Sequence, residues 1–277
     1  FEVALELPEG SCAAQKAQRY TPLHRELFAA TFDDAWLADG SEAALRGVLR
    51  EEVAGRVFSF EMLRPDFCAR LLDELANYEA SGLPVARPNS MNNYGVIVNQ
   101  IGMRPLIDDL QRKCLLPLTK LLFPKQGSAF DKHHSFMVKY KSGEDRGLDM
   151  HHDDSDVTLN VCLGREFTGA TLSFCGGFGA ADHRRHVHTY AHVIGRAIIH
   201  LGTHRHGADD IVSGERYNLV ATDDSGIMLQ EDVQAILKTL YPGIGIAGNY
   251  REGNTFRAPV CTLEKVITQL GLEPHTP

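Results

Sequence analysis

Short runs of alternating hydrophobic and polar residues follow one another through the second half of the chain, from His133 to Thr222. Alternation with a period of two is typical of β-strands that are buried on one face. Glycine and acidic residues separate the runs, and several short strands at such spacing indicate a sandwich or a barrel. The runs are 135–141, 148–152, 157–163, 170–174, 187–193, 197–201 and 216–222. The pattern therefore predicts an α+β chain with a mainly β core.

Helical periodicity and two further strands precede this region. The expected helices are 23–32, 41–52, 66–82 and 106–122, and the expected strands are 56–60 and 94–98. Ser41 is expected to cap the second helix. Pro117 is expected to kink or restart the last helix, because proline lacks the backbone donor.

Apolar residues return to helical spacing after Thr222, at 233–240 and again at 263–270. We therefore divide the chain into four segments. They are an N-terminal extension (1–54), a segment with a strand and supporting helices (55–132), the β core (133–223) and a C-terminal helical extension (224–277).

Residues of the metal-ligand type occur where one predicted strand ends and the next begins. His151 and Asp153 lie two positions apart, so both side chains can point from one face of a strand to a single ion. His152 and Asp154 have the same spacing on the other face. The residues alone leave both pairs open.

Polarity favours the first pair. His151 shares its face of the predicted strand with Asp149 and Asp153, which is the more polar face. On the opposite face, Leu148, Met150 and His152 are expected to pack against covering helices. The first register is therefore the one we expect.

A third ligand has to come from another strand, and His200, His204 and His206 are the candidates. Two imidazoles and one carboxylate on one side of Fe(II) form a facial triad, which leaves positions open for chemistry. A turn at Ser213-Gly214 is expected to bring Arg216 back beside the histidine-bearing strand. Because the arginine fork suits a carboxylate, triad and arginine together indicate an iron enzyme with a dicarboxylate co-substrate.

These residues and their neighbours resemble the Fe(II)- and 2-oxoglutarate-dependent oxygenases of the prolyl and lysyl hydroxylase type. The matching blocks, in the family's order, are 136–143 (FMVKYKSG), 151–153 (HHD), 167–174 (FTGATLSF), His206 and 214–217 (GERY). With 91–96 (MNNYGV) upstream, the chain resembles most the 2-oxoglutarate and iron-dependent oxygenase domain-containing protein 2 group, over roughly residues 55–222. Gly169-Ala170 stands where the family usually has two glycines, and Ala221-Thr222 stands where a strand end with tryptophan is common.

The resemblance implies a double-stranded β-helix, a jelly-roll or cupin-like barrel, with supporting helices on its N-terminal side. By it, the iron ligands are His151, Asp153 and His206, and Arg216 holds the distal carboxylate of 2-oxoglutarate. Tyr140 resembles a family tyrosine that helps to hold the same carboxylate, and a core aromatic residue is the alternative interpretation. Fe(II) and 2-oxoglutarate are the implied cofactor and co-substrate, with ascorbate as a reductant.

The implied reaction couples oxidative decarboxylation of 2-oxoglutarate to succinate and CO2 with hydroxylation of a substrate. A protein or peptide side chain, proline or lysine, is the substrate that the resemblance implies. Two alternatives stay open: a non-catalytic jelly roll that binds metal or ligand as a sensor or scaffold, and a hydroxylase of small molecules or nucleobases.

The composition of the chain limits the classes of binding partner that we expect. The 277 residues include 36 acidic and 28 basic side chains, a formal charge of −8, which argues against general nucleic-acid binding and suits a cationic peptide. The six cysteines form no C-x-x-C pair, so we expect them to be mostly reduced and buried. No apolar run has the roughly 18 residues needed to span a bilayer. We expect an intracellular protein, in the cytoplasm or nucleus.

Several other histidines and a polar loop lie outside the proposed iron and 2-oxoglutarate sites. His183, His186, His188 and His192 are expected to take no part in metal binding, and His133 and His134 are expected to be structural. Asn92, Asn93 and Tyr94 lie in a polar loop near the mouth of the barrel in the resembling oxygenases, so they are candidate substrate contacts.

Overall fold

Twelve β-strands make up the core of the computed structural model, which describes residues 20–28, 39–126, 132–177 and 181–224. The strands are β1 (Arg50–Val53), β2 (Val57–Glu61), β3 (Gly95–Ile97), β4 (Lys132–Lys141), β5 (Leu148–His151), β6 (Val157–Gly164), β7 (Phe167–Gly169), β8 (Leu172–Cys175), β9 (His186–Tyr190), β10 (Arg196–Leu201), β11 (His206–Ala208) and β12 (Ile211–Asp224).

The strands pair into two antiparallel sheets. The larger sheet has the order β1-β2-β10-β6-β12-β4-β3, with β7 paired to β12, and the smaller has the order β5-β11-β8-β9. Phe136, Val138 and Ile198 from the larger sheet meet Leu172 and Phe174 from the smaller one in a shared inner cluster. Two sheets packed in this way form a jelly roll, so the double-stranded β-helix is confirmed.

Strand β12 shows how the alternating pattern positions the site. Tyr217 and Leu219 belong to the outer cluster, which includes the helices, whereas Val220 belongs to the inner cluster. Arg216 and Asn218 have the same parity as Val220 and are 1% and 0% exposed. The inward face of β12 therefore carries two polar side chains inside an otherwise apolar barrel.

The helices cover the outer face of the larger sheet and precede the β core in the chain. They are α1 (Glu42–Val48), α2 (Pro65–Ala80), α3 (Arg104–Leu110) and α4 (Leu116–Leu122). In α2, Leu71, Leu72 and Leu75 are buried against the sheet residues of the outer cluster. Gly82, with φ of +69°, follows the end of this helix.

Two predicted helices differ in their limits. Ser41 caps α1 by accepting a hydrogen bond from the amide of Ala44, as expected, but the helix ends at Val48 instead of continuing to Glu52. Residues 50–53 form β1 because they pair with β2 at the edge of the larger sheet. Near the N-terminus, the predicted helix 23–32 contains one short 3-10 turn, Arg25–Phe28, within its described part.

As expected, Pro117 restarts the helix. It lies in the first turn of α4, where a missing amide donor is tolerated. A wider π-helical turn, Gln111–Leu115, joins α3 to α4. The irregularity that the proline requires therefore lies one turn before it.

The expected turn at Ser213-Gly214 is wrong, because β12 runs through it as one strand. Gly214 has φ of +80°, and a Cβ atom at this position would clash with the carbonyl oxygen of Glu166. The strand changes partners there: Gly214 pairs with β7, and Glu215 onward pairs with β4. Arg216 consequently lies in the larger sheet, not beside the strand that carries His206.

Of the described cysteines, Cys68, Cys162 and Cys175 are buried and free, and Cys114 is buried, which agrees with the expectation of burial. Cys12, Cys261 and the predicted helices after Thr222 lie outside the described residues. Within the described ranges, no helix combines the length and the apolar character needed to cross a bilayer.

Candidate functional site

The side chains of His151, Asp153 and His206 converge, with one ligand atom of each within 4.8 Å of the others. The Nε2 atom of His151 is 3.3 Å from Oδ1 of Asp153, and the Nε2 atom of His206 is 3.6 Å from Oδ2 of the same residue. Two imidazoles and a carboxylate at these separations could hold one divalent cation on one side.

Strand pairing brings the two histidines together. His151 is the last residue of β5 and pairs directly with His206, the first residue of β11. Their ring centroids are 4.5 Å apart. Nδ1 of His151 is 2.7 Å from the Asp149 carbonyl, and Nδ1 of His206 is 2.9 Å from the His204 carbonyl. Because a carbonyl only accepts, each Nδ1 carries the proton and each Nε2 is available to a metal.

Hydrogen bonds with two other parts of the chain hold Asp153 in place. Its amide donates to the carbonyl of Gly202, and Thr158 donates from Oγ1 to its Oδ2 at 2.6 Å. Ser155 lies in turn 3.0 Å from the Thr158 hydroxyl. Burial alone would raise the pKa of Asp153, but the charge of His206 and the hydrogen bond with His151 outweigh burial and hold the pKa well below its ordinary value. The carboxylate is therefore ionised and oriented before any cation binds.

The two imidazoles respond differently to their surroundings. Burial lowers the pKa of His206, against the opposing charge of Asp153. For His151 burial also acts to lower the pKa, but the hydrogen bond and charge of Asp153 outweigh it and raise the pKa. A cation at the centre would take the place of a proton shared between His151 and Asp153, which is how metal sites and protons compete.

The favoured register agrees with the structure, although one reason given for it is wrong. His152 and Asp154 lie outside the three-residue cluster. Leu148, however, packs against the inner cluster and not against a helix. A bulge causes this, because three positions separate Leu148 from His151 on β5 where two separate their partners on β11. Strict alternation therefore fails across these four residues.

The other two third-ligand candidates surround the cluster without joining it. The ring of His200 packs on His206 with centroids 4.5 Å apart, and its Nδ1 is 2.9 Å from the Leu201 carbonyl. Burial, reinforced by the charge of His206, lowers the pKa of His200 to about 3. His204 donates from Nε2 to the Cys175 carbonyl at 2.7 Å. Both rings are thus neutral packing partners of the site.

Sequence reasoning missed two neighbours of the cluster. Phe174 stacks on the ring of His206 with an interplanar angle of 25° and centroids 5.7 Å apart. Thr158 orients Asp153, as described above. Phe174 lies inside the matched block 167–174 and alternates inward with Leu172, so its parity was the signal that could have placed it here.

Arg216 forms a second polar site inside the barrel. Its Cζ atom lies 4.4 Å from the centroid of the Tyr140 ring, and its Nη1 donates to the Ala170 carbonyl. The Nε atom is buried without a hydrogen-bond partner, and no carboxylate in the described part of the chain forms an ion pair with this guanidinium. Burial lowers the pKa of Arg216, but arginine remains charged at any working pH.

Tyr140 lies on the strand beside Arg216 and pairs with it directly. Burial raises the pKa of Tyr140, partly offset by the charge of Arg216, so the hydroxyl keeps its proton. Nδ2 of Asn92 donates to this hydroxyl at 3.3 Å. The arrangement offers a carboxylate an arginine fork and a tyrosine donor in one place.

The polar loop before β3 divides into a buried and an exposed part. Asn92 is 1% exposed and contacts Tyr140 inside the barrel, whereas Tyr94 is 42% exposed. Asp145 accepts hydrogen bonds from the amides of Asn93 and Tyr94 and from the Asn93 side chain. The loop is therefore anchored at the barrel mouth, with Asn92 directed to the pocket and Tyr94 to solvent.

The histidines expected to be bystanders lie outside the cluster. His133 contacts Asp108 and Ser135, and His134 donates to the Pro88 carbonyl at 2.7 Å. His188 lies 3.3 Å from Glu52. Among the described residues, the cluster of potential ligands consists of His151, Asp153 and His206.

Comparison with known proteins agrees with these features. Residues 16–128 match the OGFOD2-like domain. The 2-oxoglutarate and iron-dependent oxygenase domain-containing protein 2 of Xenopus tropicalis is 40% identical over 216 residues, covering 75% of this chain and 62% of the relative. The corresponding protein CP2 of Arabidopsis thaliana is 37% identical, covering 73% of this chain and 55% of the relative. The chain thus spans less than two thirds of the length of these curated relatives.

Among solved structures, a prolyl hydroxylase from Trichoplax adhaerens, in complex with a hypoxia inducible factor oxygen degradation domain peptide fragment, aligns with a TM-score of 0.51. The alignment covers 75% of this chain and 98% of that chain at 15% identity, so it shows the fold alone. Residues 16–128 of the chain thus match the OGFOD2-like domain, and most of the chain is similar in sequence to the 2-oxoglutarate and iron-dependent oxygenase domain-containing protein 2 group.

Proposed function

We propose that this chain is an Fe(II)- and 2-oxoglutarate-dependent dioxygenase that hydroxylates a protein side chain. One observation carries the proposal: the cluster of His151, Asp153 and His206 shares a barrel with the buried guanidinium of Arg216, which forms no ion pair among the described residues. Burying a charge without an ion-pair partner lowers the free energy of unfolding by roughly several kcal/mol, so the pocket is suited to bind an anion. A co-substrate that carries a carboxylate and binds beside a metal satisfies both features.

His151, Asp153 and His206 would hold the iron, and Arg216 and Tyr140 would hold the distal carboxylate of 2-oxoglutarate. When bound, iron would supply the chemistry by which O2 gives one oxygen atom to succinate, as 2-oxoglutarate loses CO2, and the other to the hydroxyl group that the substrate gains. Arg216 neutralises and orients the carboxylate with parallel donors. The apolar wall that includes Phe174 keeps water away from the reacting groups.

The charge of the surface near the metal-ligand strands supports a cationic protein substrate. A groove of about 770 Å³ lies along β5 and the β11–β12 turn, with Met91 from the polar loop at its border. Its lining includes the carboxylates Glu144, Asp145, Asp149, Asp209 and Asp210, against the single base Arg146 among the described residues. Of the two residue types implied by the resemblance, lysine fits this charge better than proline.

The test is a turnover assay with purified protein, Fe(II), oxygen and 2-oxoglutarate, in which succinate is measured with and without peptides. We expect slow succinate formation by the protein alone, stimulation by lysine-containing cationic peptides, and a mass increase of one oxygen on the peptide. A matched peptide with glutamate in place of lysine should not stimulate. Omitting ascorbate tests its proposed role as reductant. Absence of succinate under every condition would contradict the proposed activity.

A further inference from the structure

We propose that His192 is a second anchor for the distal carboxylate of 2-oxoglutarate, to which it donates from Nε2 beside the guanidinium of Arg216. The proposal rests on the proposed function, since it concerns the same co-substrate. It gives a role to a histidine that the sequence motifs leave unassigned.

Contacts with two strands place the His192 ring at the barrel interior. His192 lies in the turn between β9 and β10, and its Nδ1 is 3.4 Å from Nδ2 of Asn218. Asn218 is fully buried and shares the inward face of β12 with Arg216. Tyr190, a member of the inner cluster, meets the His192 ring edge to face with centroids 5.4 Å apart.

These contacts decide which nitrogen of His192 carries the proton. Nδ2 of Asn218 donates to Asn160, and it is also the donor toward Nδ1 of His192. Nδ1 of His192 therefore accepts, and the proton lies on Nε2. The residue is half-buried as a whole, but its Nε2 atom is inaccessible to solvent and has no hydrogen-bond partner in the described ranges.

Arg216 has the same deficiency, because its buried Nε atom has no hydrogen-bond partner among the described residues either. A buried donor without an acceptor is unfavourable by about 1–3 kcal/mol, so two such donors on one side of the barrel indicate a missing acceptor with several lone pairs. A carboxylate has two oxygens and can accept from both groups.

His192 contributes direction, not charge. Burial, together with the nearby charge of Arg216, lowers the pKa of His192 well below its ordinary value, so the ring is neutral. A neutral donor recognises where a carboxylate oxygen lies without adding a second cation to a buried pocket. His192 would therefore favour a 2-oxo acid whose distal carboxylate reaches Arg216 over one that lacks this group.

Equilibrium binding tests the proposal without turnover. The protein is loaded with Mn(II), which replaces Fe(II) without supporting the reaction, and is titrated calorimetrically with 2-oxoglutarate or with pyruvate, which has no distal carboxylate. His192→Phe should raise the Kd for 2-oxoglutarate about tenfold, because it removes a charge-assisted hydrogen bond, and leave the Kd for pyruvate unchanged. His192→Gln, which restores an N–H donor, should recover most of the affinity.

A matched control is available on β9. His186 is exposed and bonds locally with Thr189, so His186→Phe should change neither Kd. Unchanged 2-oxoglutarate binding by His192→Phe, or equal weakening of both ligands, would overturn the role of His192. Wild-type protein that binds no 2-oxoglutarate, or an Arg216→Ala variant that binds it normally, would instead overturn the proposed function itself.

Discussion

The guanidinium of Arg216 lies over the ring of Tyr140, with 4.4 Å between the arginine Cζ and the ring centroid. The ring supports the cation on one side by a cation–π contact, and the Nε donor has no hydrogen-bond partner within the described ranges. No metal ligand takes part in this contact. Co-substrate binding and metal binding should therefore be separable by mutation.

Arg216→Ala should leave metal affinity largely intact and weaken 2-oxoglutarate binding by about a hundredfold, because it removes a charge-assisted fork and no ligand. Asp153→Ala should instead abolish metal binding, since it removes the carboxylate of the cluster. Metal content after dialysis and 2-oxoglutarate titration of the metal-loaded protein measure the two effects. Equal loss of metal in both variants would refute the assignment of Arg216 to the co-substrate.

Tyr140→Phe separates the two interpretations of Tyr140. The variant keeps the ring under Arg216 but loses the hydroxyl that Asn92 contacts. If the hydroxyl helps to hold the carboxylate, the Kd for 2-oxoglutarate should rise about fivefold with little change in the melting temperature. Asn92→Ala is the companion variant, because it removes only the support of the hydroxyl and should have a smaller effect. Normal binding by Tyr140→Phe would leave Tyr140 as a core aromatic residue.

The register of the central stretch makes another prediction. His151→Ala should lose both metal binding and turnover, because Nε2 of His151 lies 3.3 Å from the Asp153 carboxylate. His152→Ala should retain both, since His152 lies outside the cluster. Metal content and succinate formation measured on the two variants decide the matter. The reverse result, a metal-free His152→Ala and an active His151→Ala, would mean that the strand presents its other face.

The cluster itself could be predicted because its information is local or carried by motifs. His151 and Asp153 lie in one short block, and the resemblance to known oxygenases selected His206 among three candidates. What alternation could not supply is the geometry at irregular positions. The bulge in β5 places Leu148 inside the barrel, and the partner change at Gly214 turns a predicted hairpin into one long strand. Both depend on which strands lie alongside, which is not encoded in a single strand.

The orientations of His192 and Asn92 could not be predicted from the sequence either. Asn92 lies in a loop with no periodicity, and His192 lies just beyond Tyr190, where the strand β9 ends although the alternating run continues to 193. Parity therefore does not indicate which way either side chain points. The structure shows their partners, Asn218 and Tyr140, on strands distant in sequence. Polar residues of loops are thus assigned by tertiary contacts, whereas strand residues are assigned by parity.

Asp223 predicts a pH dependence of stability that is independent of the metal site. It is 1% exposed near the end of β12, its Oδ1 accepts from Nε2 of Gln111 at 2.6 Å, and its Oδ2 has no partner in the described part of the chain. Burial, only partly offset by the Gln111 hydrogen bond, raises the pKa of Asp223 to about 7. The unfolded chain should have the ordinary aspartate pKa, about 4.

Between these two pH values the folded protein holds a proton on Asp223 that the unfolded chain releases. The free energy of unfolding contributed by this group is therefore fully present below about pH 4, falls as the pH rises, and levels off above about pH 7. The difference in pKa corresponds to about 4 kcal/mol at most.

Asp223→Asn cannot ionise, although its amide lacks an acceptor, so we expect it to be about 2 kcal/mol more stable than wild type at pH 7. Urea denaturation from pH 4 to pH 8 measures the difference, which should shrink toward pH 4. Asp66→Asn is the control, since the hydrogen bond from Arg64 lowers the pKa of exposed Asp66 and its loss should give a change of opposite sign. A wild-type minus Asp223→Asn difference that stays constant across this range would show that Asp223 titrates normally in the folded protein.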